Sequence, residues 1–279
     1  MSVREQAWKY LESGISITAT DSKKVSIGSW GEFQKRLMTQ QEFNQRFAHA
    51  EGVAIICGSV SGNLEVIDVD TKYDITGELF QSYIQQVPES LLKKLTIAET
   101  RSGGYHIYYR CEVIEGNAKL AERYTTKEEL ANNPHTKNLV LLETRGEGGY
   151  VVAPPSTGYK WKQGSIDSVV TITPEEREEL LTIARSYNEY LDEPQRETQY
   201  APSPDNTLSP LDDYNQRGDV VSLLQKHGWT YLYDKKGRMI FRRPGKTEGT
   251  SGNYYPEKNW FSVFTTSSEF KPGKAYRPS

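Results

Sequence analysis

The chain has 279 residues, with 34 Lys and Arg against 37 Asp and Glu and a formal net charge of −3. No overall basic field marks it as a nucleic-acid binder, so a local groove would have to serve instead. Its 36% hydrophobic content and mean hydropathy of −0.69, with no run near the ~18 apolar residues of a membrane span, exclude an integral helical membrane protein.

The length suits one sizeable core plus a smaller unit. Cys57 and Cys111 lie in apolar, strand-like runs without CxxC spacing. They read as small buried hydrophobes in a reducing compartment. The N-terminal MSVREQAWKYLESG lacks an apolar signal region, so a soluble cytoplasmic protein is expected. Eighteen Tyr and five Trp supply amphipathic rings that serve a core or stack on bases.

In chain order, residues 3–13 predict an amphipathic helix carrying Ala7, Trp8 and Leu11 on one side and stopped at Gly14. ISITAT (15–20) predicts a strand, and GEFQKRLMTQQEFNQRFAHA a helical stretch. VAIICG (53–58) and LEVIDVD (64–70) are apolar strands joined by SVSGN, which predicts a hairpin. ITGELFQSYIQQVPESLLKKL follows the helical period and is split by Pro88. TIAETRSGGYHIYYR (96–110) reads as strand, Gly-rich turn, strand, and the polar second half of 111–138 as an exposed loop. LVLLETR (139–145) and YVVAPPS (150–156) predict a second hairpin, followed by short strands and a helix from Pro174 to about residue 192. Residues 193–210 are polar and Pro-rich, which predicts a linker. A small domain over 211–279 starts with the helix DVVSLLQKHGW and continues as short strands. The expected whole is an α+β chain: a domain over 1–192 with an RRM-like, mostly antiparallel sheet and flanking helices, and a small C-terminal accessory domain.

Asp68 and Asp70, spaced i, i+2 at the end of a β-branched run, share one strand face roughly 6.5–7 Å apart. Carboxylates that close repel unless a cation lies between them, and hard divalent cations prefer oxygen ligands. Alone, the pair reads equally as a solvent-facing acid and a turn-initiating one. Three further stretches bear on it. In RSGGYHIYYR the paired glycines permit a tight turn, and His106 follows with Arg101 and Arg110 nearby in sequence. That pattern suits a phosphate site as well as it suits a structural histidine. In LVLLETRGEGGYVVAPPS, Glu143 and Arg145 share a face, either as a third carboxylate beside a phosphate clamp or as an ion pair. In CGSVSGNLEVIDVD, Gly58, Ser61 and Gly62 shape the turn into the aspartate strand.

Taken together, residues 15–156 resemble the archaeo-eukaryotic primase superfamily, specifically the bifunctional primase–polymerase (prim-pol) domain of plasmids, phages and prophages. The resemblance rests on DVD at 68–70 preceded by GSVSGN at 58–63, SGGYH at 102–106, and ETRGEGGYVVAPPS at 143–156, with WGEFQKR at 30–36 upstream. It implies a DNA primase/polymerase that transfers nucleotides on single-stranded DNA by a two-metal mechanism. Asp68, Asp70 and Glu143 would then hold two Mg²⁺ or Mn²⁺ ions. His106 would contact the phosphates of an NTP or dNTP, helped by Ser102, Gly104 and Arg145. Glu143 stands where many relatives carry Asp. The implied geometry has the three carboxylates converging, with His106 across a pocket from them.

The stretch after Pro210 resembles accessory segments that follow prim-pol domains, and its layout is similar to a zinc ribbon. It has no cysteine ligands and only His227, so no structural zinc is expected. Arg238, Arg242, Arg243 and Lys246, interleaved with tyrosines, are candidate nucleic-acid contacts or a solvated charged face. A replicative helicase, fused or separate, is a candidate partner by the same resemblance, and no membrane partner is expected. Two other classes compete. One is a non-catalytic RRM-like module for single-stranded nucleic acid. The other is a rolling-circle initiator nuclease, which would need a His-x-His pair where YHIYY offers one histidine.

Overall fold

The computed structural model describes residues 2–22, 26–191 and 210–278. The expected linker lies outside them except for Pro210. The chain divides into two compact units, Met1–Leu180 and Leu181–Ser279, and the boundary falls inside a helix, short of the expected boundary at 192.

In chain order the first unit contains α1 (Val3–Glu12), β1 (Ile17–Thr20), α2 (Gln40–Arg46), β2 (Gly52–Ile56), β3 (Leu64–Val69), α3 (Leu79–Gln86), α4 (Glu89–Leu92), β4 (Thr96–Glu99) and β5 (Tyr105–Cys111). It continues with β6 (Ala118–Tyr124), α5 (Lys127–Asn132), β7 (Asn138–Arg145), β8 (Tyr150–Ala153), β9 (Lys160–Gln163), β10 (Thr171–Ile172) and the start of α6 (Pro174–Arg185). The fold is α+β, with mainly antiparallel sheets. One sheet of three strands runs β1-β2-β8, and a larger one runs β6-β7-β3-β5-β4-β9, with β10 added in parallel beside the end of β5.

The alternation along β3 explains the layering. Leu64 and Val66 face a core shared with Ala98, Tyr108, Ile17, Val53 and Ile55, so it lies between the two sheets and under α1 and α2. Capping boxes at Ser2 and Thr39 start those two helices, satisfying N–H groups that have no intrahelical partner. The other face of β3 carries Glu65, Ile67 and Val69, all buried. On that side Arg177 of α6 reaches Glu65, and Tyr83 of α3 donates to the Leu180 carbonyl.

The two hairpins expected across the short turns SVSGN and GEGG do not form, while the β4–β5 hairpin does. β2 pairs with β1 and β8, whereas β3 pairs with β5 and β7. The two runs meet only at a bridge between Gly58 and Leu64. At Gly58 the backbone takes φ +99°, a conformation open to glycine, and the chain crosses from one sheet to the other. Likewise β7 and β8 lie in different sheets. Their connecting turn is held elsewhere, by Glu147 N–H on the Glu115 carbonyl and Ser59 N–H on the Glu147 carboxylate. A short connection between two apolar runs implies a hairpin only if each lacks better partners, and runs buried on both faces pair wherever the core needs them.

The stretch 111–138 holds β6 in its first half, and its second half, expected as an exposed loop, is exposed but folds the short helix α5. Its polar composition suits an edge strand and a short, exposed capped helix. The helical stretch after Trp30 is reduced to a 3₁₀ turn, Gly31–Gln34, and α2. α6 ends at Arg185.

The second unit contains the end of α6, α7 (Pro210–Arg217), α8 (Val220–Lys226) and five strands: β11 (Thr230–Lys235), β12 (Arg238–Arg242), β13 (Gly252–Tyr255), β14 (Trp260–Val263) and β15 (Ala275–Tyr276). The strands form one antiparallel meander in sequence order. Val220 and Leu224 of α8 pack on Trp229, Phe241, Phe261 and Val263. Among the described residues, no helix is long and apolar enough to cross a membrane.

Candidate active site

On β3, Asp68 continues the inward face that begins with Leu64 and Val66, at the end where the apolar core stops. Register then decides its neighbours. Asp68 lies directly opposite Glu143 on β7 and opposite His106 on β5. Residues opposite each other in an antiparallel pair project to the same side with Cβ atoms about 5 Å apart. The sheet therefore sets Glu143, Asp68 and His106 in one row across three adjacent strands.

Asp70 sits just past the end of β3. Its N–H still bonds the Leu141 carbonyl at 2.9 Å, and its Oδ1 accepts from Lys72 N–H at 3.1 Å, capping the 3₁₀ turn Thr71–Tyr73. Asp68, Asp70, Thr100, Ser102, His106 and Arg145 line one cavity of about 460 Å³. The wall is completed by the loop and strand around Gly149–Val152, together with Trp30, Asn117 and Tyr159.

His106 is 6% exposed. Its Nε2 lies 3.6 Å from Asp68 Oδ1, and its Nδ1 lies 3.3 Å from the hydroxyl of Tyr108. Burial raises the Tyr108 phenol well above its ordinary range, so it stays protonated. The imidazole tautomer that accepts this O–H at Nδ1 carries its own proton on Nε2, the side facing Asp68. His106 thus stands beside Asp68 on the neighbouring strand. The expectation of a histidine across a pocket is corrected, because the β3–β5 register leaves it no other place.

Glu143 is turned onto Arg145, with which it forms an ion pair, and it does not line the cavity wall with Asp68 and Asp70, so the expected convergence of the three carboxylates on one point does not hold for Glu143. Burial raises its carboxyl above the ordinary value, Arg145 draws it back down, and Asp68 and Asp70 push it up again. Gly104 does not line the cavity either. A Cβ there would lie 2.5 Å from the Val69 carbonyl oxygen, so glycine lets the β4–β5 turn close against the end of the aspartate strand. Thr100 and Ser102 face each other across that turn at 3.3 Å. Arg110 and Arg101 are spent elsewhere, on the Val169 and Ser22 carbonyls. Arg110 belongs to the opposite end of β5, across from Leu64.

In the second unit Arg238 donates to the Asn188 and Glu189 carbonyls, and Arg242 to those of Thr247 and Gly249. Arg243 bonds the Pro244 carbonyl and Lys246 that of Thr250. All four side chains are half-buried. Their first use is to brace the β12–β13 loop and the segment after α6.

The sequence reading missed Thr100, Asn117, Tyr150 and Tyr159 as cavity residues, and noted Trp30 only as part of a motif. Trp30 and Tyr150 meet edge-on at 4.9 Å, and Tyr159 lies 6.0 Å from His106. Tyr150 was within reach, since it ends the Gly-rich turn. Asn117 and Tyr159 carry no local signal.

Among the described residues, no three His, Cys, Asp or Glu side chains are gathered into a ready metal site. Asp68 and Glu143 nevertheless stand opposite each other on adjacent strands with Asp70 two residues on, and carboxylate oxygens are the donors that hard divalent cations prefer. The fold is a mixed α/β domain with mainly antiparallel sheets and an acidic cavity beside the β4–β5 turn. Residues 7–176 match the family model described as bifunctional DNA primase/polymerase, N-terminal, and the chain belongs to that family. No curated protein matches it.

Proposed function

We propose that the chain is a DNA primase/polymerase that joins nucleotides on single-stranded DNA, in the setting of plasmid or phage replication. The observation that carries this reading is the in-register row Glu143–Asp68–His106 with Asp70 one step beyond, of which Asp68, Asp70 and His106 line a cavity in the matched region. The strand order β7-β3-β5-β4 around it supports the RRM-like description of the core.

Asp68 and Asp70 would hold two Mg²⁺ or Mn²⁺ ions, with Glu143 joining them once it leaves Arg145. When bound, such ions activate the attacking 3′-hydroxyl and stabilise the departing pyrophosphate. Arg145, released by Glu143, offers a planar, doubly donating cation to a phosphate. Ser102, on the turn that Gly104 closes, offers a hydroxyl at the same end. His106 offers a proton from Nε2 toward the row and is kept in orientation by Tyr108. Trp30 and Tyr150 offer aromatic faces for a base. The second unit, with the loop around Arg243 and Lys246, is assigned to template or triphosphate contacts, and a helicase is the expected co-worker.

The test compares wild type with Asp68→Asn and Asp70→Asn on single-stranded template, with labelled NTPs or dNTPs and Mg²⁺ or Mn²⁺. Each substitution is expected to lower incorporation by about a hundred- to thousandfold while DNA binding persists. A wild type that binds DNA but incorporates nothing with either metal would overturn the proposal in favour of a binding module.

A further inference from the structure

The turn that follows Asp70 has little packing of its own. Thr71, Lys72, Tyr73 and Asp74 include no buried side chain, and the turn closes on one backbone bond, Asp74 N–H to the Thr71 carbonyl at 3.1 Å. Asp74 then caps the start of α3 through Leu79 N–H at 2.7 Å. A carboxylate at such a junction points where the turn points, so whatever holds the turn also aims Asp70.

Beyond the Asp70 N–H bond to the Leu141 carbonyl, the side chain that holds this turn from outside is Arg123 on β6. It is 4% exposed, and its Nε donates to the Tyr73 carbonyl at 2.5 Å. Nη1 donates to the Tyr124 carbonyl at 2.9 Å, and both Nη groups grip the Glu129 carboxylate at 2.8 and 2.7 Å. Glu129 is fixed in turn by the capping box of α5, where it accepts Thr126 N–H at 2.8 Å. A planar guanidinium with five donors can serve a carboxylate on one edge and carbonyls on the other, which an ammonium cannot. The polar excursion of β6 and α5 thus ends in a rigid fork on the carbonyl three residues beyond Asp70.

We propose that Arg123 is a positioning residue for Asp70, holding the turn 71–74 so that the Asp70 carboxylate stays beside Asp68 to share a divalent cation. The inference rests on the reading of the acidic row given above. Arg123 does not touch substrate or metal, and its effect passes through the Tyr73 carbonyl.

Calorimetric titration of the full chain with Mn²⁺ alone tests it, with nucleotide incorporation measured in parallel. Arg123→Met is expected to weaken Mn²⁺ binding by about ten- to hundredfold, the range for groups that orient metal ligands. Incorporation by this variant at saturating Mn²⁺ should return close to wild type, and Arg123→Lys should fall between. Glu129→Gln, on the half-exposed side of the fork, carries the test should Arg123→Met fail to fold, and should weaken Mn²⁺ binding in the same direction. Folded variants with a lower melting temperature but unchanged Mn²⁺ affinity would overturn the proposal and leave the acidic site standing. A wild type that binds no Mn²⁺, or Asp68→Asn and Asp70→Asn proteins that bind it as wild type does, would overturn both.

Discussion

Glu143 is a carboxylate whose ionisation the fold disfavours. Burial lifts it above its ordinary value of 4.5, and Asp68 and Asp70 add to the rise against the pull of Arg145. Ionising it in the folded chain therefore costs free energy that ionising it in the unfolded chain does not. Below about pH 4.5, where both states hold the proton, the cost is absent. It grows as pH rises and is complete once the pH has passed the raised folded value. Glu143→Gln is thus expected to raise the melting temperature of the metal-free protein at neutral pH, with the gain fading as pH falls through about 4.5. Thermal scans across that range check it, and a gain independent of pH would contradict the electrostatic origin.

At the level of the element, β3 is held from behind as firmly as it is loaded in front. Glu65 is fully buried, and it accepts from Arg177 at 2.6 and 2.9 Å and from the Tyr109 hydroxyl at 2.7 Å. The pair ties α6 to the strand bearing Asp68. Removing one member leaves a buried charge whose remaining described partner is a neutral hydroxyl, so Arg177→Met should destabilise the protein by about 3–5 kcal/mol. Adding Glu65→Gln should restore part of that loss. Urea unfolding of the single and double variants measures both, and strict additivity would mean the two residues do not act as a pair. Glu65 was legible in the sequence only as a polar residue in an apolar strand. Its partner lies 112 positions away, beyond any local pattern.

Across the whole molecule, charge is divided unevenly. Residues 210–279 carry twelve Lys and Arg against seven Asp and Glu, a net of +5, while residues 1–209 carry −8. The near-neutral total conceals an acidic N-terminal stretch followed in sequence by a basic C-terminal one, an asymmetry that favours contact of the basic stretch with a polyanion. Deleting residues 209–279 is therefore expected to abolish de novo primer synthesis while sparing much of primer extension. It should also flatten the salt dependence of single-strand binding, since the slope of log K against log salt falls by about 0.7 for every phosphate the protein no longer neutralises. Equal loss of initiation and extension, with an unchanged salt slope, would remove the second unit from the mechanism.

The sequence by itself determined the family and the α+β character. It also marked Asp68, Asp70 and His106, because strand periodicity, paired glycines and motif order are local and survive in one dimension. It could not place the strands. VAIICG and LEVIDVD look like a hairpin because they are adjacent, yet burial on both faces sends them to different sheets. The tertiary structure alone decided that Glu143 and His106 flank Asp68, since register between β7, β3 and β5 is a property of pairing between residues far apart in the chain. It alone made the polar stretch around Arg123 a brace, because a buried guanidinium is stable only where carbonyls and a carboxylate from separate segments meet it.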